Sequence, residues 1–273
     1  MAITAADVKK LRDATGAGMM DAKKALTEAE GDFAKAIELL RISGLAKAAK
    51  RADREATNGI VAGRGGALIQ FAAETDFVAK NAEFVGLAEE ILSAVIATGA
   101  TDVTTANAAV LAGDRAAEET VEEAVKGLGA KIGENLAVVA VANFDGNTHL
   151  YLHRRASDLP PQVGVLVEYT GDDALAHQTA LHIAAMSPQW VIRDEVPADL
   201  VENERRIAEA TAKEEGKPEA ALPRIVEGRV GGFFKDVVLV DQAAVWEDKK
   251  TVGQSLADGS TEVQRFVRFA VGA

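Results

Sequence analysis

The chain has 273 residues, no cysteine, 48% hydrophobic residues and a net charge of −12. That length permits a sizeable core and either two domains or one domain with a small module. Disulfides, thiolate nucleophiles and Cys-based zinc sites are excluded, and no uncharged apolar run approaches the ~20 residues needed to span a bilayer. Met1 to Asp7 lacks the basic and apolar regions of a signal peptide, so the expected compartment is the cytoplasm. Charge is unevenly placed. Residues 1–55 hold 11 Lys and Arg against 9 Asp and Glu, which leaves 19 (30 − 11) against 33 (42 − 9) in the remainder. An acidic body lacks the clustered cations of a phosphate-backbone binder, so the expected partner is a protein rather than a nucleic acid.

Residues 1–55 read as a module of three short helices. Thr4-Ala5-Ala6-Asp7 resembles a capping box with Asp in place of Glu, and Gly16-Ala17-Gly18 ends the first helix. The second runs from about Met19 to Glu28. Gly31 suits a left-handed C′ position and Asp32 an N-cap. Phe33, Ala36, Ile37 and Leu40 then recur three and four apart until Ser43-Gly44 closes the third helix. Leu45 to Glu55, rich in Ala, Lys and Arg, reads as a solvated helical linker.

From Thr57 the pattern changes. Ile60-Val61-Ala62, a Gly63–Gly66 turn and Ala67 to Ala73 read as two strands. Thr75-Asp76-Phe77-Val78 lies between the second strand and a long amphipathic helix running to about Thr98. Phe84, Leu87, Ala88, Ile91, Leu92 and Val95 form the stripe of that helix. Phe77 falls at its N-terminal end, where it is either a hydrophobic staple or an aromatic anchor presented to a partner. A further helix is expected over Arg115 to Gly127. Lys131-Ile132-Gly133-Glu134-Asn135 then leads into a strand, Leu136 to Phe144. Asp145-Gly146-Asn147 signals a hairpin turn into a strand over Thr148 to Arg154.

Gly164 to Tyr169, Gly171-Asp172-Asp173 and Ala174 to Met186 repeat the order strand, acidic turn, helix. Asp199 to Lys213 and Glu219 to Glu227 read as a charged helical hairpin, either a solvated protrusion or an arm for a partner or a second copy. Val237 to Val240 and Val263 to Val271 read as strands. The expected class is α+β: a three-helix module over residues 1–55, then two similar subdomains with antiparallel sheets. Those subdomains span 56–145 and 146–273, the second carrying a helical hairpin insertion at about 188–228.

Signals for chemistry are missing. No Gly-x4-Gly-Lys-Ser/Thr loop occurs, and Gly63-Arg64-Gly65-Gly66 joins two strands with no helix behind it. His149 and His153 lie four apart on a strand, which separates them by about 13 Å. His177 and His182, five apart on a helix, point to different faces. No Ser sits in a nucleophile elbow. A hydrolase near Asp172-Asp173 would lack a paired base and nucleophile, whereas a ubiquitin-like or nascent-chain binding role for residues 1–55 alone would leave Asp76-Phe77 unused. A non-enzymatic protein-binding molecule without metal or cofactor is expected.

Several segments together resemble one family. Thr15-Gly16-Ala17-Gly18-Met19-Met20-Asp21 with Lys23-Lys24-Ala25-Leu26 is similar to the N-terminal signature of bacterial elongation factor Ts. Thr75-Asp76-Phe77-Val78-Ala79-Lys80-Asn81 resembles its central signature. Lys131 to Asn135, Glu227-Gly228-Arg229 and Lys250-Thr251-Val252-Gly253-Gln254 extend the likeness over nearly the whole chain. The loop Arg154 to Gln162 is longer than the family's usual one. The resemblance implies a ubiquitin-associated-like N-terminal module and guanine-nucleotide exchange on the GTPase elongation factor Tu. It implies that Asp76 and Phe77 enter beside the partner's magnesium site. It further assigns partner contacts to Thr75 and Val78 in the same turn, and to Met19, Met20, Ile132 and His153. The helical hairpin at about 188–228 resembles a dimer arm of some relatives, which implies a homodimer as one expected assembly.

Overall fold

The structure is a computed structural model that describes residues 3–51, 53–113 and 118–272. The class is α+β, and the chain divides into two compact units. One comprises Met1–Asn143, Leu152–Val163 and Phe269–Ala273; the other comprises Phe144–Tyr151 and Gly164–Arg268.

The first unit carries α1 (Ala5–Thr15), α2 (Met19–Glu28), α3 (Phe33–Ala49), β1 (Asn58–Arg64) and β2 (Ala67–Ala73). It continues with α4 (Asp76–Ala79), α5 (Ala82–Thr98), α6 (Val103–Ala108), α7 (Val121–Ile132) and β3 (Leu136–Asn143). Thr4 and Asp7 form the expected capping box, and Gly16 closes α1 with φ 70°. Val8, Leu11, Ala22, Ala25, Leu26 and Ala36 make the small core of α1–α3. The third helix does not stop at Ser43-Gly44. A Cβ at Gly44 would stand 3.1 Å from Ala130 Cβ, so this glycine serves the close crossing of α3 on α7 and does not terminate the helix.

The three strands form an antiparallel sheet in the order β1-β2-β3. Residues of β2 alternate between faces, and both faces are covered: Ala67, Ile69, Phe71 and Ala73 join α5 and α7 in the main core. Phe71 stacks on Phe84 of α5 with centroids 4.2 Å apart. Of the helix expected over Arg115 to Gly127, the residues up to Ala117 lie outside the described residues. The helix begins at Val121 behind a Thr120–Glu123 capping box. It also takes in Lys131 and Ile132, which the sequence reading placed in the approach to β3.

The second unit carries β4 (Thr148–His153), β5 (Val163–Thr170), α8 (Asp173–Met186), α9 (Ala198–Glu214), α10 (Leu222–Val237), α11 (Val252–Asp258) and β6 (Glu262–Ala270). Its sheet order is β4-β5-β6. In both sheets the central strand is followed by a helix, which is the repeat seen in the sequence. Asp145-Gly146-Asn147 does not close a hairpin, because β3 and β4 belong to different sheets. The Asn147 carbonyl instead accepts the Tyr169 N–H at 3.0 Å, committing this segment to β5.

The α9–α10 hairpin is longer than its sequence signal. Pro223 sits in the first turn of α10, where its missing N–H leaves no helical bond unmade. That helix then runs through Gly228, Gly231 and Gly232, since Leu222, Val226 and Val230 keep one buried stripe. Val226 and Val230 pack on Ala208 of α9. Val237 to Val240 is therefore not a strand: α10 ends there, a 3-10 turn covers Leu239–Asp241, and Trp190 and Val238 make an isolated parallel bridge.

Candidate functional site

The central motif is built where β2 ends. Ala73 pairs with Leu136, and the antiparallel register places Glu74 opposite Asn135 and Thr75 opposite Glu134. Side chains take over the ladder at this point. Glu134 Oε2 accepts the Thr75 N–H at 3.0 Å and Glu134 Oε1 accepts the Thr75 hydroxyl at 2.6 Å. Reciprocally, Glu74 Oε1 accepts the Asn135 N–H at 2.6 Å. The Glu74 carbonyl accepts from Asn58 Nδ2 at 2.9 Å, and Asn135 Nδ2 donates to the Arg54 carbonyl at 2.8 Å.

Thr75 is extended (φ −126°, ψ 157°) and N-caps α4, its hydroxyl oxygen receiving the Val78 N–H. The long helix expected from Val78 is in fact two. After one turn α4 stops at Lys80, and Asn81 starts α5 by accepting the Glu83 N–H at 2.8 Å. Val78 and Ala79 are buried, while Asp76 and Phe77 face water. Phe77 is 80% exposed, so it is not a staple. The aromatic that packs in the core here is Phe84, stacked on Phe71.

Other motif residues are found on the same unit. Met19 and Met20, in the first turn of α2, are 49% and 76% exposed. Gly16, in the turn before them, lies against the Lys131 side chain. Lys131 in turn pairs with Glu83 of α5 at 2.6 Å. Through Lys131 and Glu134, the Lys131–Asn135 segment thus touches both the α1–α2 turn and the Thr75 turn. Ile132 closes α7 half-buried against the main core. His153 is exposed at the end of β4, and its carbonyl accepts the Gln162 N–H at 2.9 Å. The loop between them reaches the central motif: Asp158 meets Lys80 at 2.6 Å. Their contact raises the Lys80 pKa and lowers that of Asp158, in each case chiefly through the hydrogen bond between them.

A second polar group escaped the sequence reading. His149 Nδ1 lies 3.0 Å from Asp173 Oδ1, and His149 Nε2 lies 3.0 Å from His177 Nδ1. Tyr169 donates to the same Asp173 oxygen at 2.7 Å. These hydrogen bonds hold the Asp173 carboxyl below its usual range, Tyr169 contributing most. Spacing along the chain compared His149 with His153 and His177 with His182, whereas the contact runs from strand to helix. Among the described residues no group of three or more His, Cys, Asp or Glu is placed to hold a metal ion. No helix among them is long and apolar enough to cross a membrane. The arrangement around Phe77 presents an exposed aromatic and a carboxylate on an anchored turn, with no nucleophile–base pair.

Comparison with known proteins agrees with the motifs. The family model described as Elongation factor TS matches residues 74–273. A curated elongation factor Ts from Cutibacterium acnes is 60% identical over 273 residues, covering 100% of both chains. Those from Mycobacterium sp. (strain KMS) and Mycolicibacterium gilvum are 56% and 57% identical, each with 98% of both chains covered. With a family model over most of its length and relatives of this identity over nearly all of it, the chain belongs to the elongation factor Ts family.

Proposed function

We propose that this protein is a guanine-nucleotide exchange factor for elongation factor Tu and acts by inserting Asp76 and Phe77 beside the magnesium site of that GTPase. The observation that carries the reading is Phe77, an aromatic held 80% in water on a turn whose neighbours Val78 and Ala79 are buried. An apolar ring kept exposed on an anchored turn is shaped to be covered by a partner. GDP is held partly through magnesium bridging its phosphate oxygens to the GTPase. A wedge that displaces the groups around that ion weakens this electrostatic clamp without competing for the base. Thr75 and Val78 fix the turn, and Met19, Met20, Ile132 and His153 supply further contacts. By linkage, bound GDP weakens the exchange factor by the same factor, so exchange is accelerated while the free GTPase's relative GDP and GTP affinities stay as they are. The protein is a binding molecule and not an enzyme in this reading, needs no cofactor, and works in the cytoplasm without direct contact to nucleic acid.

The test is release of a fluorescent GDP analogue from elongation factor Tu as this protein is titrated in. Saturating acceleration is expected. Release at the spontaneous rate at every concentration would falsify the proposal.

A further inference from the structure

We infer that Glu134 is a positioning residue that sets the geometry of the Asp76-Phe77 turn, and that with Glu74 it forms a reciprocal carboxylate clasp extending the β2–β3 ladder beyond the strands. The inference rests on the exchange reading for its functional consequence, but not for its structural content.

At the end of the sheet, backbone carbonyls would ordinarily receive the next pair of N–H groups. Here Glu134 receives the Thr75 N–H and Glu74 receives the Asn135 N–H, each carboxylate serving the residue opposite its own. A charged acceptor makes a stronger bond than a carbonyl at similar distance. Glu134 also fixes the Thr75 hydroxyl at 2.6 Å. That contact decides which way the hydroxyl points. With its proton directed at Glu134, the oxygen lone pairs are left for the Val78 N–H, which caps α4. One side chain from a segment 59 residues away therefore fixes the N-cap of the single-turn helix that carries Phe77.

The turn has little else to define it. Four residues make one helical turn, too short to persist by its own hydrogen bonds. Val78 and Ala79 anchor its far side in the core, while Asp76 and Phe77 have no burial to orient them. Glu134 therefore provides the fixed point on the N-terminal side. Its acceptor role also distinguishes it from Ile132, two residues earlier, which acts through apolar packing.

The experiment compares wild type, Glu134→Ala and Glu134→Gln. Gln keeps the shape and one acceptor oxygen but cannot receive both Thr75 hydrogens. Nucleotide release from elongation factor Tu is measured over a concentration series, giving a maximal rate and a half-saturating concentration. The expected result for Glu134→Ala is a maximal rate lowered about ten-fold or more, with the half-saturating concentration changed less than about three-fold, because the rest of the surface is intact. Glu134→Gln is expected to recover most of the rate. Amide hydrogen exchange is read on the same proteins. Protection at Val78, which Glu134 does not touch, should fall in Glu134→Ala together with protection at Thr75.

An unchanged maximal rate in Glu134→Ala overturns the inference. So does equal loss of rate and affinity in proportion to a lost folded fraction, or Val78 protection that stays at the wild-type level. Should wild type itself fail to accelerate release, the exchange reading falls, and Val78 protection alone decides the positioning role. If Glu134→Ala does not fold, the same readings on Thr75→Val decide it. Thr75→Val removes the hydroxyl and keeps the N–H bond, and it should lower Val78 protection while leaving Thr75's own protection in place.

Discussion

Replacing Phe77 by Ala separates fold from function because of where the ring sits. At 80% exposure, about 40 Å² of the roughly 200 Å² of an aromatic side chain is buried in the free protein. At ~25 cal/mol per Å² that burial is worth about 1 kcal/mol of stability. Covering the remaining roughly 160 Å² against a partner has a ceiling of ~4 kcal/mol on the same scale. Truncated aromatic anchors at interfaces cost about 2–4 kcal/mol, which corresponds to roughly 30- to 900-fold in affinity. Phe84→Ala is the control, since that ring is fully buried against Phe71 and its loss should cost about 3–5 kcal/mol of stability. The assay is GDP release per folded molecule beside thermal unfolding of each variant. Phe77→Ala should lose exchange and keep its melting temperature within a few degrees; Phe84→Ala should show a large fall in melting temperature. Intact exchange in Phe77→Ala would refute the wedge, and a melting loss in Phe77→Ala as large as that of Phe84→Ala would refute the burial reasoning behind it.

His182 is fully buried, its Nε2–H donating to Gln242 Oε1 at 2.8 Å, and burial is the main cause holding its pKa below its ordinary value. The folded state therefore favours the neutral ring, and stability should fall as pH drops below about 6.5, by at most ~1.4 kcal/mol per pH unit for one proton. Urea melts between pH 7.5 and 5 should show that slope in wild type and lose it in His182→Gln; an equal slope in both assigns it elsewhere. Gly59→Ala should be strongly destabilising, because φ is +135° and the new Cβ would lie 2.1 Å from the Phe71 carbonyl oxygen; a melting temperature like wild type would contradict the β1–β2 register. Gly44→Leu should pry α3 from α7, read as faster proteolysis near Arg51–Arg54 with the main core's melting unchanged. If α9–α10 is a self-association arm, sedimentation should give a dimer that becomes a monomer when the hairpin is shortened, and a monomeric full-length chain would remove that role.

Much of the fold was legible because its apolar periods are clean. Phe84 to Val95 on α5, Gly164 to Tyr169 on β5 and Ala174 to Met186 on α8 are found within a residue or two of where the periods place them. Misreadings cluster where one residue type serves two purposes. Gly44 and the three glycines of α10 look like helix stops, but the helices pass through them: Gly44 lets α3 approach α7, and Val226 and Val230 hold α10 against α9. Thr75 and Asn81 are both cap residues, and treating the motif as one helix start merged α4 with α5. Asp145-Gly146 has hairpin chemistry, yet the strand that claims Asn147 is β5. The motif residues stand out as a set in the sequence, whereas the exposure of Phe77 is legible only in the structure, where Phe84 takes the core contact with Phe71. The clasp from Glu134 to Thr75, and the contact of His149 with His177, join residues 59 and 28 positions apart, for which no local pattern exists.

An aromatic ring held in water has a colloidal consequence. Copies of the protein that meet through Phe77, with Met20 at 76% exposure and Ile42 at 58%, can adhere before any partner arrives. Mutual repulsion from a net charge of −12 opposes that encounter. The repulsion is screened beyond about 8 Å at physiological ionic strength and vanishes as pH nears the sequence pI of 4.9. Precipitation should therefore set in on acidification before the fold is lost, and Phe77→Ala should shift its onset closer to the isoelectric point, so this exposed ring also sets how acidic a solution the free protein can tolerate.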